Sequence, residues 1–216
     1  MAAAGAATIT TVSPRRPSLL HRLIALDTAL SLRIYSLCRP VPRSFLKALE
    51  ISGDGRFWFP IPFALLPFSS SASSIAFSLL LALLLGSLLD LLLVGLVKHL
   101  VRRPRPVYNK GMSLAFSVDH WSFPSGHASR VFFIASFLRL SDASLRRLLA
   151  GCGCIGAYYG GDPAELLVRL VLVWSAATSA SRVLLGRHFV LDVVAGSCLG
   201  VLEAFIVFYF FNFYRF

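Results

Sequence analysis

From Phe57 onward apolar residues gather into long runs separated by short polar stretches. The clearest run, residues 74–98, reads SIAFSLLLALLLGSLLDLLLVGLVK and carries a single charge, Asp90, before its closing lysine. About 20 apolar residues suffice for a helix to cross a bilayer. Further runs predict helices over 57–72, from near Gly126 to about 140, over 164–181 and over 189–212, the last ending in an aromatic cluster suited to a membrane interface. Prolines 60, 62 and 67 would kink the first of these, which membrane helices tolerate. Residues 19–38 differ. Apolar positions 20, 23, 24, 30, 34 and 37 alternate with His21, Arg22, Asp27 and Arg33, the pattern of an amphipathic helix lying in the interface. The pattern predicts an all-α, polytopic membrane helix bundle of five to six transmembrane helices plus an N-terminal amphipathic helix. Residues 1–18 read as a disordered tail and 19–216 as a single domain.

Composition supports a membrane protein: 56% of the 216 residues are hydrophobic, against about 45–50% in soluble domains. The net charge of +11 would suggest nucleic acid in a soluble protein. Here no basic stripe lies on a soluble fold, so nucleic-acid binding is excluded. Basic loops instead face anionic headgroups, or bind an anionic substrate. Cys38, Cys152, Cys154 and Cys198 form no C-x-x-C pair, so free thiols are expected, without a disulfide framework or a zinc site. The first acid is Asp27; the small-residue, arginine-bearing segment before it reads as a cytosolic tail or an organelle transit peptide.

Three polar clusters sit at predicted helix ends, where ionisable groups are costly and mark function. The first is KHLVRRPRP, Lys98 to Pro106, in which two prolines hold Arg105 in extended backbone. The second is PSGH, Pro124 to His127. It joins a hydroxyl (Ser125), a glycine open to ligand approach (Gly126) and a helix N-terminus that favours anions. His127 there is placed to protonate a departing oxygen. The third is SRVLLGRHFVLD, Ser181 to Asp192. His188 and Asp192 share a helix face; a carboxylate on one ring nitrogen would fix the tautomer and free the other for attack. Arg182 can grip a phosphoryl group with two parallel hydrogen bonds.

These three motifs together, Lys98…Arg105-Pro106, Pro124-Ser125-Gly126-His127 and Ser181-Arg182…His188…Asp192, resemble the type 2 phosphatidic acid phosphatase superfamily. Its signature is K-x6-RP, PSGH and SR-x5-H-x3-D, and all three are intact over residues 98–192. The resemblance implies a membrane lipid phosphatase acting on lipid phosphomonoesters or diphosphates through a phosphohistidine. It implies His188 as nucleophile, Asp192 as its orienting partner, His127 as general acid, and Lys98, Arg105, Arg182, Ser125 and the Gly126 amide as the phosphate cradle. It implies no metal and no cofactor, the cations supplying the charge; the partners are the lipid phosphate substrate and surrounding lipids, with oligomeric state left open. The short loops and SGDGRFWFP, residues 52–60, look most like the subgroup acting on polyisoprenoid diphosphates and related lipid phosphates. A lipid phosphotransferase on the same histidine is the alternative. The soluble vanadium haloperoxidases share the cradle but are larger, and a non-catalytic relic would not keep three whole motifs.

Lys98, His127 and His188 must meet on one membrane face, so an even number of crossings separates His127 from Arg182. Residues 147–161 therefore add no single full span and are expected to be re-entrant or a short helix on the far side. The active-site side then holds fifteen Lys and Arg against five on the other, which places site and N-terminus in the cytosol. The expected location is the endoplasmic reticulum membrane, or alternatively a plastid membrane. Outside the motifs, Asp90 is expected to pair with a polar neighbour such as Ser87. Arg103 and Arg187 are expected to touch headgroups or substrate edges, and His21, His99 and His120 to be solvated or interfacial.

Overall fold

The computed structural model describes residues 18–72, 74–108, 120–150 and 161–213, and among them every regular element is an α-helix. The elements are α1 (Leu19–Leu37), α2 (Arg43–Ser52), α3 (Gly55–Trp58), α4 (Pro60–Ala72), α5 (Ser74–Val101), α6 (Gly126–Leu140), α7 (Asp142–Ala150), α8 (Pro163–Leu184) and α9 (Val190–Phe213). Of the expected tail only Ser18 is described; its side chain caps α1 by accepting from the His21 N–H.

Among the described residues three helices are long and apolar enough to cross a membrane: α5, α8 and α9. Of the five to six expected, α4 and α6 fall below that length in the described residues. At about 1.5 Å per residue, α4 and α6 are roughly 20 and 22 Å long, short of the ~30 Å hydrocarbon core. α6 also carries His127, Ser129 and Arg130 in its first half. It is the central helix, with Ala128, Val131, Phe133, Ile134, Ala135 and Phe137 all buried. A helix enclosed by others needs no lipid-facing stripe, so its hydropathy is modest. The outer faces of α5 and α9 do present large apolar residues, Leu88, Leu92, Leu96, Leu202, Phe205 and Ile206. The core between α5, α6 and α9 is Leu79, Ala82, Phe133, Ile134, Phe137, Ala204 and Val207.

α6 and α9 are the most intimately packed pair, and two glycines one turn apart allow it. A Cβ on Gly196 would stand 2.4 Å from the Ser125 carbonyl oxygen, and one on Gly200 1.9 Å from that of Ser129. Small residues at this spacing let helix backbones approach. The approach carries the Asp192 end of α9 against the start of α6, where the Ser125 N–H donates to the Asp192 carbonyl at 2.9 Å.

α1 departs from a simple interfacial helix. Leu19, Leu20, Leu23, Leu26 and Leu30 are exposed, while Asp27 and Ser31 are buried against the rest of the protein. Asp27 and Ser31 thus face inward, while His21, Arg22 and Arg33 stay exposed. The basic connector 39–50 is largely the helix α2, anchored by buried Leu46. α7 is a nine-residue helix beyond α6, held to α8 through Arg146, which pairs with Asp142 at 2.8 Å and with Asp162. The rest of the segment expected to be re-entrant, 151–160, lies outside the described residues.

Candidate active site

The C-terminal ends of α5 and α8 and the N-terminal ends of α6 and α9 lie at one end of the bundle, because α5 and α8 run toward that end while α6 and α9, parallel to each other, run away from it. Each end delivers one piece of the polar constellation. Lys98 closes α5, Ser125 caps α6, Arg182 closes α8, and His188 stands one residue before Phe189 and α9. The α8–α9 turn is tight: the Arg182 carbonyl accepts from the Arg187 and His188 N–H groups at 2.9 and 3.2 Å. Gly186 takes φ +72° within it, where a side chain would be strained.

His188 is 2% exposed, and its partners define its state. Nδ1 lies 2.7 Å from the Ser122 carbonyl oxygen. A carbonyl only accepts, so Nδ1 carries the proton and Nε2 of the neutral ring keeps its lone pair. Nε2 lies 3.2 Å from an Arg105 guanidinium nitrogen, which also donates to the Arg187 carbonyl at 2.9 Å. Burial, followed by the charges of Arg105, Arg182 and Lys98, pushes His188 well below the ordinary imidazole value. A neutral, tautomerically fixed imidazole ringed by cations is the form that attacks an electrophilic, negatively charged centre.

The expected Asp192 bond to His188 is not direct. Its Oδ2 stands 3.7 Å from Nδ1, beyond hydrogen-bond length. That oxygen instead accepts the Phe189 N–H at 2.9 Å, and Oδ1 accepts from Arg103 at 2.7 Å. Asp192 caps α9 and fixes the backbone beside the histidine, while Ser122 orients the ring. Ser125 is fully buried, and its hydroxyl oxygen accepts the Ala128 N–H at 3.5 Å; as a cap it still has its O–H to donate. Gly126 is the first residue of α6. Nε2 of His127 is buried with no hydrogen-bond partner, within electrostatic reach of Arg182, His188 and Lys98.

Arg182 is 1% exposed and donates to the Glu50 carboxylate of α2 at 2.6 Å, and Arg187 approaches the same oxygen at 3.3 Å. Burial opposes the charge on Glu50, but Arg182 and Arg187 outweigh it and hold the carboxyl below its ordinary value. Four site residues were not singled out from the pattern: Glu50, Asp27, Ser122 and, in its present role, Arg103. A signal existed for two of them. Asp27 and Glu50 are the only acids before Asp54 in an otherwise basic N-terminal stretch, and both end on site arginines. Asp90, expected beside Ser87, instead pairs with Arg130 at 3.0 Å. Among the described residues no three His, Cys, Asp or Glu gather in a metal-ligating group.

Comparison with known proteins shows the family and the fold. The PAP2 superfamily model matches residues 73–216, which include all three motifs. The Arabidopsis thaliana protein named probable lipid phosphate phosphatase beta is 43% identical over 190 residues, 84% of this chain and 87% of that one. A PAP2 type phosphatidylglycerolphosphate phosphatase from Bacillus subtilis has the same fold, with a TM-score of 0.68 at 22% identity over 90% of this chain and 88% of its own. Aquifex aeolicus LpxE superposes with a TM-score of 0.56 at 24% identity, over 84% of this chain and 94% of its own.

Proposed function

This chain belongs to the PAP2 superfamily and is a membrane-embedded hydrolase of it, and from that premise we propose that it removes phosphate from lipid phosphomonoesters or diphosphates, with His188 as the nucleophile. The observation that carries the reading is His188 itself, its Nδ1 proton held by the Ser122 carbonyl and its ring surrounded by Arg105, Arg182 and Lys98.

The phosphoryl oxygens sit among Lys98, Arg105 and Arg182, with the Ser125 hydroxyl and the Gly126 amide at the start of α6. Charge spreads over those oxygens in the transition state, and fixed cations in a water-poor site stabilise it without reorganising. Nε2 of His188 attacks phosphorus, and the bond from phosphorus to the lipid oxygen breaks. His127, whose Nε2 is otherwise unpartnered, gives that oxygen its proton. A water then attacks the phosphohistidine and the N–P bond breaks. His127 takes the water's proton and is restored. Asp192 holds the chain around His188 through the Phe189 N–H.

Residues 19–216 act as one domain in this reading, with α1 and α2 packed into the site. The excess of Lys and Arg at the active-site end supports a cytosol-facing site in the endoplasmic reticulum, a plastid membrane being the alternative. The substrate is a phosphatidate-like lipid or an isoprenyl diphosphate. Purified protein assayed on phosphatidate, lysophosphatidate, a sphingoid-base phosphate and farnesyl diphosphate tests both points. Phosphate release from at least one, lost in His188→Ala together with an acid-labile phosphoenzyme, is expected. Release that survives in His188→Ala defeats the assignment.

A further inference from the structure

Arg103 belongs to none of the motif positions, yet it touches the site twice. Its backbone carbonyl accepts the Ser122 N–H at 2.8 Å and the Ser122 hydroxyl at 3.3 Å. Ser122 in turn holds Nδ1 of His188. Its side chain, 14% exposed, donates to Asp192 and to Asp27 at 2.7 Å each. The guanidinium also stacks 4.1 Å from the centre of the Phe189 ring. Phe189 and Asp192, which follow the nucleophile at the start of α9, are therefore both held by one cation.

Asp27 is more than a counter-ion. Its second oxygen accepts the Leu191 N–H at 3.0 Å, while Ser31, one turn along α1, accepts the Val190 N–H at 3.0 Å. These are N–H groups of the first turn of α9, which have no acceptor within their own helix. The N-terminal helix thus caps the helix that begins beside His188. Asp27 lies outside the 73–216 match, so this support is contributed by the part of the chain beyond the family motifs.

We infer that Arg103, fixed by Asp27 of α1, is a positioning residue for His188: the Asp27–Arg103–Asp192 bridge locks the start of α9, and the histidine with it, in the attacking orientation. The inference rests on the phosphatase reading above. It requires that loss of the bridge slow the chemical step rather than weaken lipid binding.

The bridge also leaves an electrostatic signature. The groups facing the His188 ring are Lys98 of α5, Arg105 just beyond α5, His127 of α6, Arg182 of α8 with Glu50 of α2 behind it, and Asp192 of α9. Arg103 acts on that set by neutralising Asp192. Without it the Asp192 charge stabilises the imidazolium, and the acid limb of kcat/KM moves to higher pH. A purely structural role predicts no such shift.

The test compares full-length wild type, Arg103→Gln and Asp27→Asn in detergent micelles, on whichever lipid phosphate the wild type turns over. Asp27→Asn keeps an oxygen for the Leu191 N–H but removes the charge, so it retains the cap on α9 and tests the bridge even where Arg103→Gln fails to fold. For Arg103→Gln, kcat is expected to fall about tenfold or more with KM within about threefold, and the acid limb to rise by about half a pH unit. For Asp27→Asn, kcat is expected to fall about threefold with KM unchanged and no rise of the acid limb. Wild-type kcat in both variants overturns the inference. So does a raised KM with kcat intact, which would make Arg103 a substrate contact. A lowered thermal midpoint with unchanged kcat per folded molecule and an unmoved acid limb also overturns it. A wild type that turns over no lipid phosphate defeats the phosphatase reading instead.

Discussion

The contact between α6 and α9 makes a sharp test of how the site is held. In Gly196→Ala the new methyl would lie 2.4 Å from the Ser125 carbonyl oxygen and 3.2 and 3.3 Å from the Ser125 carbonyl carbon and nitrogen. All three neighbours are backbone, so none can swing aside. Ordinary contact begins near 3.4 Å, and the helices must therefore part by about 1 Å. Overpacking of this kind costs about 1–3 kcal/mol, which lowers the thermal midpoint but leaves a bundle. The effect on chemistry is larger. Ser125 donates its N–H to Asp192, so separation there pulls the PSGH motif from the motif that carries His188. A misplacement of about 1 Å costs on the order of a hundredfold in rate. The expectation is a kcat about a hundredfold down, with a modest loss of thermal stability measured by fluorescence-detected melting in detergent. Gly95→Ala is the control. A Cβ there meets nothing within 4 Å, and activity should match wild type. Wild-type kcat in Gly196→Ala would refute the claim that the close approach sets the catalytic spacing.

Two further outcomes follow from buried charges. Glu50 is held below its ordinary value in the folded protein, so its pairing stabilises the fold above the unfolded value near 4.5 and is lost as pH falls through the lower, folded one. Wild-type melting temperature should thus decline more steeply than that of Glu50→Gln as pH drops below about 4.5, and parallel curves would remove Glu50 from the account. Arg130→Met, near-isosteric and uncharged, leaves Asp90 buried without its partner; this should cost about 3–5 kcal/mol, read as a large drop in thermal midpoint, and a drop of only a degree or two would mean that Asp90 is satisfied elsewhere.

The helices of the outer layer were legible because lipid contact writes itself in composition. α5 begins at its expected residue, and α8 and α9 lie within three residues of the expected ends. α6 was legible from its start as well as from its apolar run, since Ser125 and Gly126 announce a helix N-terminus. That α6 is enclosed was not legible, because its modest hydropathy does not say which neighbours cover it. The orientation of α1 was hidden for a related reason. A helix with apolar residues outward and Asp27 and Ser31 inward has the same periodicity as one lying on a surface. Periodicity gives a face but not what covers it.

The motif residues could be read from spacing because each sits at a helix end, where position along the chain translates directly into position at the bundle's polar end. Their supports could not, because they lie far away in sequence. Ser122 is separated from His188 by 66 residues, Glu50 from Arg182 by 132, and Asp27 from Leu191 by 164. Charge balance would have pointed to them. Four site cations, Lys98 and Arg182 buried and Arg103 and Arg105 partly so, need counter-charge nearby when no phosphate is bound. Asp192 supplies one, and the N-terminal stretch offers few others before Asp54. That Asp27 and Glu50 each close on a different site arginine is what such an accounting requires. It also assigns them different work. Glu50 sits on Arg182, which the proposed phosphate cradle uses, and in that reading must yield or share when substrate arrives. Asp27 sits on Arg103, which holds the scaffold, and has no reason to move. The two N-terminal carboxylates should therefore separate kinetically, Glu50→Gln acting on KM and Asp27→Asn on kcat. The opposite split would mean that the cradle and its scaffold have been assigned the wrong way round.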